Sequence, residues 1–102
     1  MIEAMGDPGA DPTVRRYRAE IAEADRAILA AVNARVELVA AIKRHKESLG
    51  LPFLDPDRER ELVEELVARN GGPLSAEGLR ALYACLLELT KREVSRHGDP
   101  EA

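Results

Sequence analysis

RAEIAEADRAILAAVNARVELVAAIKRHKESL, residues 18–49, decides the fold. Taken in alternating steps of three and four, it gives Arg18, Ile21, Asp25, Ile28, Val32, Arg35, Val39, Ile42, Lys46 and Leu49, an unbroken a/d register along one helix face. Strong helix formers surround these positions, and neither Gly nor Pro occurs between Thr13 and Leu49, so the sequence predicts one uninterrupted helix with a buried seam. Arg18, Asp25, Arg35 and Lys46 are charged members of that seam.

Spacing gives the charges their meaning. At about 1.5 Å rise per residue, Arg35 and Lys46 stand roughly 16 Å apart, and Arg18 stands roughly 25 Å from Arg35. Two long side chains can close around a small anion across the first gap. Bringing Arg18 to the same ligand needs either a sharp bend, for which there is no kink residue, or an antiparallel second copy. The sequence therefore predicts a dimer with shared sites.

Composition agrees with that expectation. The chain has 102 residues, 45% apolar and 33% charged, with Tyr17, Phe53 and Tyr83 as its only rings. A few long helices built from so short a chain expose much apolar surface unless two chains cover it. The net charge of −4, with 19 acids interleaved among 15 bases, argues against nucleic acid or an anionic membrane as the main partner. No apolar run approaches the roughly 18 residues of a membrane span, and the first residues carry acids without a signal-type apolar region, so a cytoplasmic location is expected. Cys85 has no intrachain partner and is read as a buried, inert thiol on an apolar helix face.

The remaining elements follow from local chemistry. Residues 1–12 read as a disordered lead-in, 13–98 as one helical domain and 99–102 as a tail. The long helix starts near Asp11 to Thr13 and stops at Gly50, with Pro52 forbidding resumption. Asp55-Pro56 opens a second helix whose inward face reads Glu59, Leu62, Val63, Leu66 and Val67, ending at Asn70-Gly71-Gly72-Pro73. Ser75, with Leu74 and Leu79 in staple positions, opens a third, whose inward face reads Leu79, Leu82, Tyr83, Leu86, Leu87, Thr90 and Val94. The expected fold class is all-α: three helices, one long and two shorter, forming an intertwined homodimer.

Periodicity alone equally fits a coiled-coil helix whose polar a/d residues set register and whose cationic heads snorkel to water. Against this stands the combination of Arg18, Arg35 and Lys46 with Arg58, Glu59 and Thr90 on the other two helices. Buried cations cost several kcal/mol each without a partner. Asp25 can satisfy one, which leaves a positive surplus suited to a small dicarboxylate. Neither His45 nor His97 has metal-site spacing, and both read as solvated; no metal or cofactor is expected. Gly71-Gly72-Pro73 is a helix stop, not a phosphate loop. Asp55 and Glu59, one turn apart beside Arg58 at a helix start, do not read as an acid/base pair, and Asp55 reads as a cap. With no candidate nucleophile, what remains is a cavity that binds anions and stabilises developing charge.

The ladder Arg18, Arg35, Lys46, followed by Asp55-x-x-Arg58-Glu59 and a hydroxyl residue on the last helix, resembles the all-helical AroQ-type chorismate mutases over about residues 14–97. The resemblance implies an intertwined dimer that rearranges chorismate to prephenate by a Claisen shift. It places Lys46, Arg35 and Glu59 as catalytic residues, Lys46 donating to the ether oxygen. It places Arg18 of the second copy and Arg35 on the two carboxylates, Arg58 in their support, Asp55 and Glu59 on the ring-hydroxyl side, and Thr90 at the family's Ser/Thr. Val94 stands where the family has Gln or Glu as a second donor to the ether oxygen. Loss of such a donor costs on the order of 3 kcal/mol, about a hundredfold in rate, so weak activity is expected of the chain alone. The resemblance extends, through Val94 and the polar Ser95-Arg96-His97-Gly98 end, to small members stimulated by docking to the aldolase that opens the shikimate pathway, DAHP synthase. Two alternatives stay open: an isochorismate pyruvate lyase, and a non-catalytic dimeric ligand-sensing or regulatory helical module.

Overall fold

The first helix is nucleated by a side chain outside it. Asp11 Oδ1 accepts hydrogen bonds from Thr13 N at 2.8 Å and Val14 N at 3.0 Å. Pro12 fills the first helical position, where a missing N–H goes unnoticed. From there α1 runs unbroken over Pro12–Ser48, preceded by one 3-10 turn at Pro8–Ala10. The structure, a computed structural model, describes residues 8–98. The readings made for residues 1–7, for the His97 side chain and for 99–102 lie outside the described residues.

Gly50 ends α1 in the left-handed conformation, at φ 71°. Leu51 N then donates to Lys46 O at 2.8 Å and Gly50 N to Glu47 O at 3.1 Å, which satisfies carbonyls that have no partner within the helix. Helix α2, Pro56–Arg69, is capped by Asp55, whose Oδ1 accepts from Arg58 N at 3.1 Å. Its half-buried residues include Glu59, Leu62, Val63, Leu66 and Val67, the face that periodicity assigned. Asn70 closes it and holds the following loop: Nδ2 donates to Leu74 O at 2.7 Å while Oδ1 accepts from Gly72 N at 3.1 Å. Helix α3, Ala76–Gly98, is capped by Ser75 Oγ, which accepts from Gly78 N at 2.9 Å. A Cβ at Gly78 would stand 3.0 Å from Leu74 Cδ1, so glycine leaves the room in which Leu74 folds over the helix start. The described residues contain no strand, and no described helix is long and apolar enough to cross a membrane.

The chain divides into two compact units, residues 1–34 and residues 35–102. In the first, the N-terminal part of α1 has no buried residue, and Tyr17, Ile21, Ile28 and Leu29 are 54–60% exposed. The second contains the end of α1 with α2 and α3. Among its described residues the fully buried side chains are Val94 and Thr90, joined by Leu79 at 6% exposure. Glu64 and Arg80 link α2 to α3 at 2.8 Å.

Two expectations need correction, both on α3. The α1 seam is left uncovered within one chain, where Ile21, Ile28 and Ile42 are each at least half exposed. A helix stripe is covered only where another layer faces it, and this chain supplies too few elements to do so throughout. Leu82 is exposed, not part of the core, and Cys85 is exposed, not a buried thiol. These two lie three residues apart on one side of α3, and the packing that buries Thr90 and Val94 turns that side outward.

Candidate functional site

Within the second unit, the end of α1, the loop 50–55 and the first turns of α2 meet the middle of α3 around a cavity of about 260 Å³. Its walls are apolar where Val39, Ile42, Phe53, Leu54, Leu62 and Leu87 contribute. Its charged lining is Arg35, Lys46, Asp55, Arg58, Glu59 and Lys91. That size lies just below the roughly 300–1,000 Å³ of sites for drug-sized ligands and suits a small metabolite.

Each functional group reaches the cavity for a local reason. Arg35 and Lys46 are α1 seam residues, and both are half-buried. Arg35 Nη1 donates to Thr90 Oγ1 at 3.0 Å, and Thr90 Oγ1 donates onward to Leu86 O at 2.7 Å. Thr90 is 1% exposed, and its hydroxyl, being neutral, aims a guanidinium without neutralising it. Lys46 stands in the last turn of α1, where the negative end of the helix dipole favours a cation. Its ammonium donates to Phe53 O at 3.3 Å, which ties the connector to the helix. Arg58 and Glu59 are delivered by the first turn of α2, whose start Asp55 fixes by capping.

The pairing pattern carries the chemistry. Among the described residues, Arg35, Lys46 and Arg58 form no ion pair; the partners of the first two are a hydroxyl and a carbonyl. Glu59 is paired, with Lys91 at 3.3 Å. Four cations and two carboxylates therefore line the cavity, a surplus of two positive charges beside apolar walls. Such an arrangement favours a dianion with a hydrophobic body. None of the lining residues is a Ser, Cys or His, and the one lining hydroxyl, that of Thr90, is engaged with Arg35 and with Leu86 O, so no nucleophile–imidazole pair is built here.

Of the positions singled out in the sequence, Arg35, Lys46, Asp55, Arg58, Glu59 and Thr90 line this cavity. Arg18 belongs to the other unit and is exposed. Val94 does not line the cavity, and its side chain is fully buried at 0% exposure. Lys91 was missed. The signal was present: Lys91 follows Leu87 by four residues and so continues an inward position of α3.

The sequence model of the chorismate mutase type II family matches residues 17–94. The chain belongs to that family. Two solved structures with the same fold are chorismate mutases of Thermus thermophilus. Form II is 33% identical, with a TM-score of 0.78, covering 82% of this chain and 96% of that one. Form I is 35% identical, with a TM-score of 0.75, covering 76% and 98%. A third relative is the delta subunit of the acetyl-CoA decarbonylase/synthase complex of Methanocaldococcus jannaschii, 35% identical over 71 residues. That match covers 66% of this chain but 18% of the subunit, so this chain spans only a small part of that relative's length.

Proposed function

We propose that this chain is a chorismate mutase, converting chorismate to prephenate in a cationic pocket shared between two copies. The observation that carries the reading is the set of three cations without ion pairs, Arg35, Lys46 and Arg58, around a small apolar-walled cavity in a type II chorismate mutase family member. Chorismate carries two carboxylates and an ether oxygen that gains negative charge as its C–O bond breaks. A pericyclic shift requires no proton transfer and no covalent intermediate. Holding the reactive conformer and stabilising that oxygen are then the available means of catalysis.

Arg35, aimed by Thr90, binds one carboxylate, and Arg58 supports it. Lys46 retains two N–H donors beyond its bond to Phe53 O and gives one to the ether oxygen. Glu59 and Asp55 face the ring hydroxyl. Arg18 comes from the second copy and holds the other carboxylate. The homodimer is supported by the exposed apolar side chains of both units, among them Ile21, Ile28, Leu38 and Ile42, a helix face of the kind that buries against another copy. Val94 offers no donor, so the site leans on Lys46, and docking to DAHP synthase raises the rate by reordering the end of α3. The reaction is placed in the cytoplasm, in the branch leading to aromatic amino acids.

The test is product analysis of the purified chain with chorismate and, separately, with isochorismate. Prephenate from chorismate is expected. Pyruvate from isochorismate with no prephenate would make the chain a lyase, and no turnover of either would leave a binding module. Adding the DAHP synthase of the same organism should increase turnover, and an unchanged rate would remove that partner.

A further inference from the structure

Residue 91 on α3 has a role that neither Thr90 nor Val94 fills. Val94 is buried off the cavity and Thr90 gives it only a buried, neutral hydroxyl, whereas Lys91 lines it with a charge and keeps 28% of its side chain exposed. Its ammonium lies 3.3 Å from Glu59 Oε1 and 3.7 Å from Glu88 Oε2. Glu59 is itself a cavity residue at 33% exposure. We propose that Lys91 is a specificity-determining residue of the pocket: it holds the Glu59 carboxylate in place and offsets its negative charge, so that the pocket keeps the surplus of two positive charges that prefers a dianion over a monoanion.

Two observations set this apart from a structural staple between α2 and α3. The helices already have an ion pair outside this cavity, Arg80 with Glu64 at 2.8 Å. A part-exposed pair adds little to folding, whereas a charge facing a confined ligand acts through less water. Removing Lys91 leaves Arg35, Lys46 and Arg58 against Asp55 and an unpaired Glu59, a surplus of one charge beside a negative group that repels the ligand. A carboxylate freed of its partner also loses the orientation in which it meets a ring hydroxyl. Lys91 thus acts on the ligand both by its own charge and through Glu59.

This inference rests on the mutase reading, and the experiment separates the two. Steady-state kinetics on chorismate are compared for wild type, Lys91→Gln and Lys91→Arg, with inhibition by prephenate, a dicarboxylate, and by 4-hydroxyphenylpyruvate, a monocarboxylate. Lys91→Gln should raise KM for chorismate and Ki for prephenate about tenfold, and change Ki for the monocarboxylate by about twofold or less. The rise of KM with added salt should flatten in the same variant. Lys91→Arg, which keeps the charge, should stay near wild type. An unchanged KM and Ki in folded Lys91→Gln, or an equal loss for both inhibitors, overturns the inference while the mutase reading stands. A wild type with neither turnover nor prephenate binding removes both.

Discussion

Mixing two inactive variants should restore activity, because the proposed site takes its groups from two chains. On a straight helix rising about 1.5 Å per residue, Arg18 and Arg35 of one chain would stand roughly 25 Å apart, more than an arginine side chain spans. Lys46 lines the cavity, while Arg18 belongs to the other unit. Arg18→Ala removes a carboxylate partner and Lys46→Ala removes the donor to the ether oxygen, each costing about 3 kcal/mol, or roughly a hundredfold in rate. In a mixed dimer, the site built on the Arg18→Ala chain keeps its own Lys46 and receives Arg18 from the other copy, so it is intact. The second site carries both lesions. Random pairing makes about half the dimers mixed, each with one intact site of two, so an equimolar mixture should recover about a quarter of wild-type activity. The assay is chorismate consumption after co-refolding the two variants, with distinct tags to purify the mixed species. A mixture no more active than its parents, with mixed dimers isolated and wild type active, refutes the shared site.

Asp55→Ala should lower stability by about 1 kcal/mol, since the cap on Arg58 N is lost, and a urea melt reads the shift. Val94→Gln should destabilise by about 1–3 kcal/mol without raising turnover, because the amide enters a fully buried position off the cavity. A gain in turnover would show that position 94 reaches the substrate after all. The melting temperature should rise with protein concentration, as mass action requires of a chain whose apolar seam is covered by a second copy; concentration-independent melting would speak against the dimer.

Helix boundaries were legible because their causes are local. Asp11, Gly50, Asp55-Pro56 and Ser75 act on backbone groups two to five residues away, and a sequence carries such information directly. The half-buried face of α2 was legible for a similar reason, one helix meeting one neighbour. The rotation of α3 about its axis was not. At about 100° per residue, Lys91 lies some 40° past Leu87, while Leu82 and Cys85 fall beyond the opposite edge of the buried arc around Thr90. A register that accommodates Leu82 and Val94 together cannot say which edge faces the cavity. The bond from Arg35 to Thr90, the burial of Val94 and the pairing of Lys91 with Glu59 show that rotation, and all depend on tertiary contact. The seam of α1 was readable as a pattern, but a pattern does not say which chain covers it.

The choice of partners explains how the fold tolerates cations beside its core. A carboxylate next to Arg35 or Lys46 would satisfy the charge, but it would also cancel the attraction for an anionic ligand. The structure uses neutral acceptors there, the Thr90 hydroxyl and the Phe53 carbonyl, which supply a hydrogen bond and leave the charge in place. Glu59, the α2 carboxylate turned into the cavity, is committed to Lys91. Partly buried cations held this way are stabilised least when the cavity is vacant and most when an anion enters. On the proposed reading, affinity for a dianion would follow from the same hydrogen bonds that position the cationic side chains, and binding should stabilise the chain as well as prepare it for reaction.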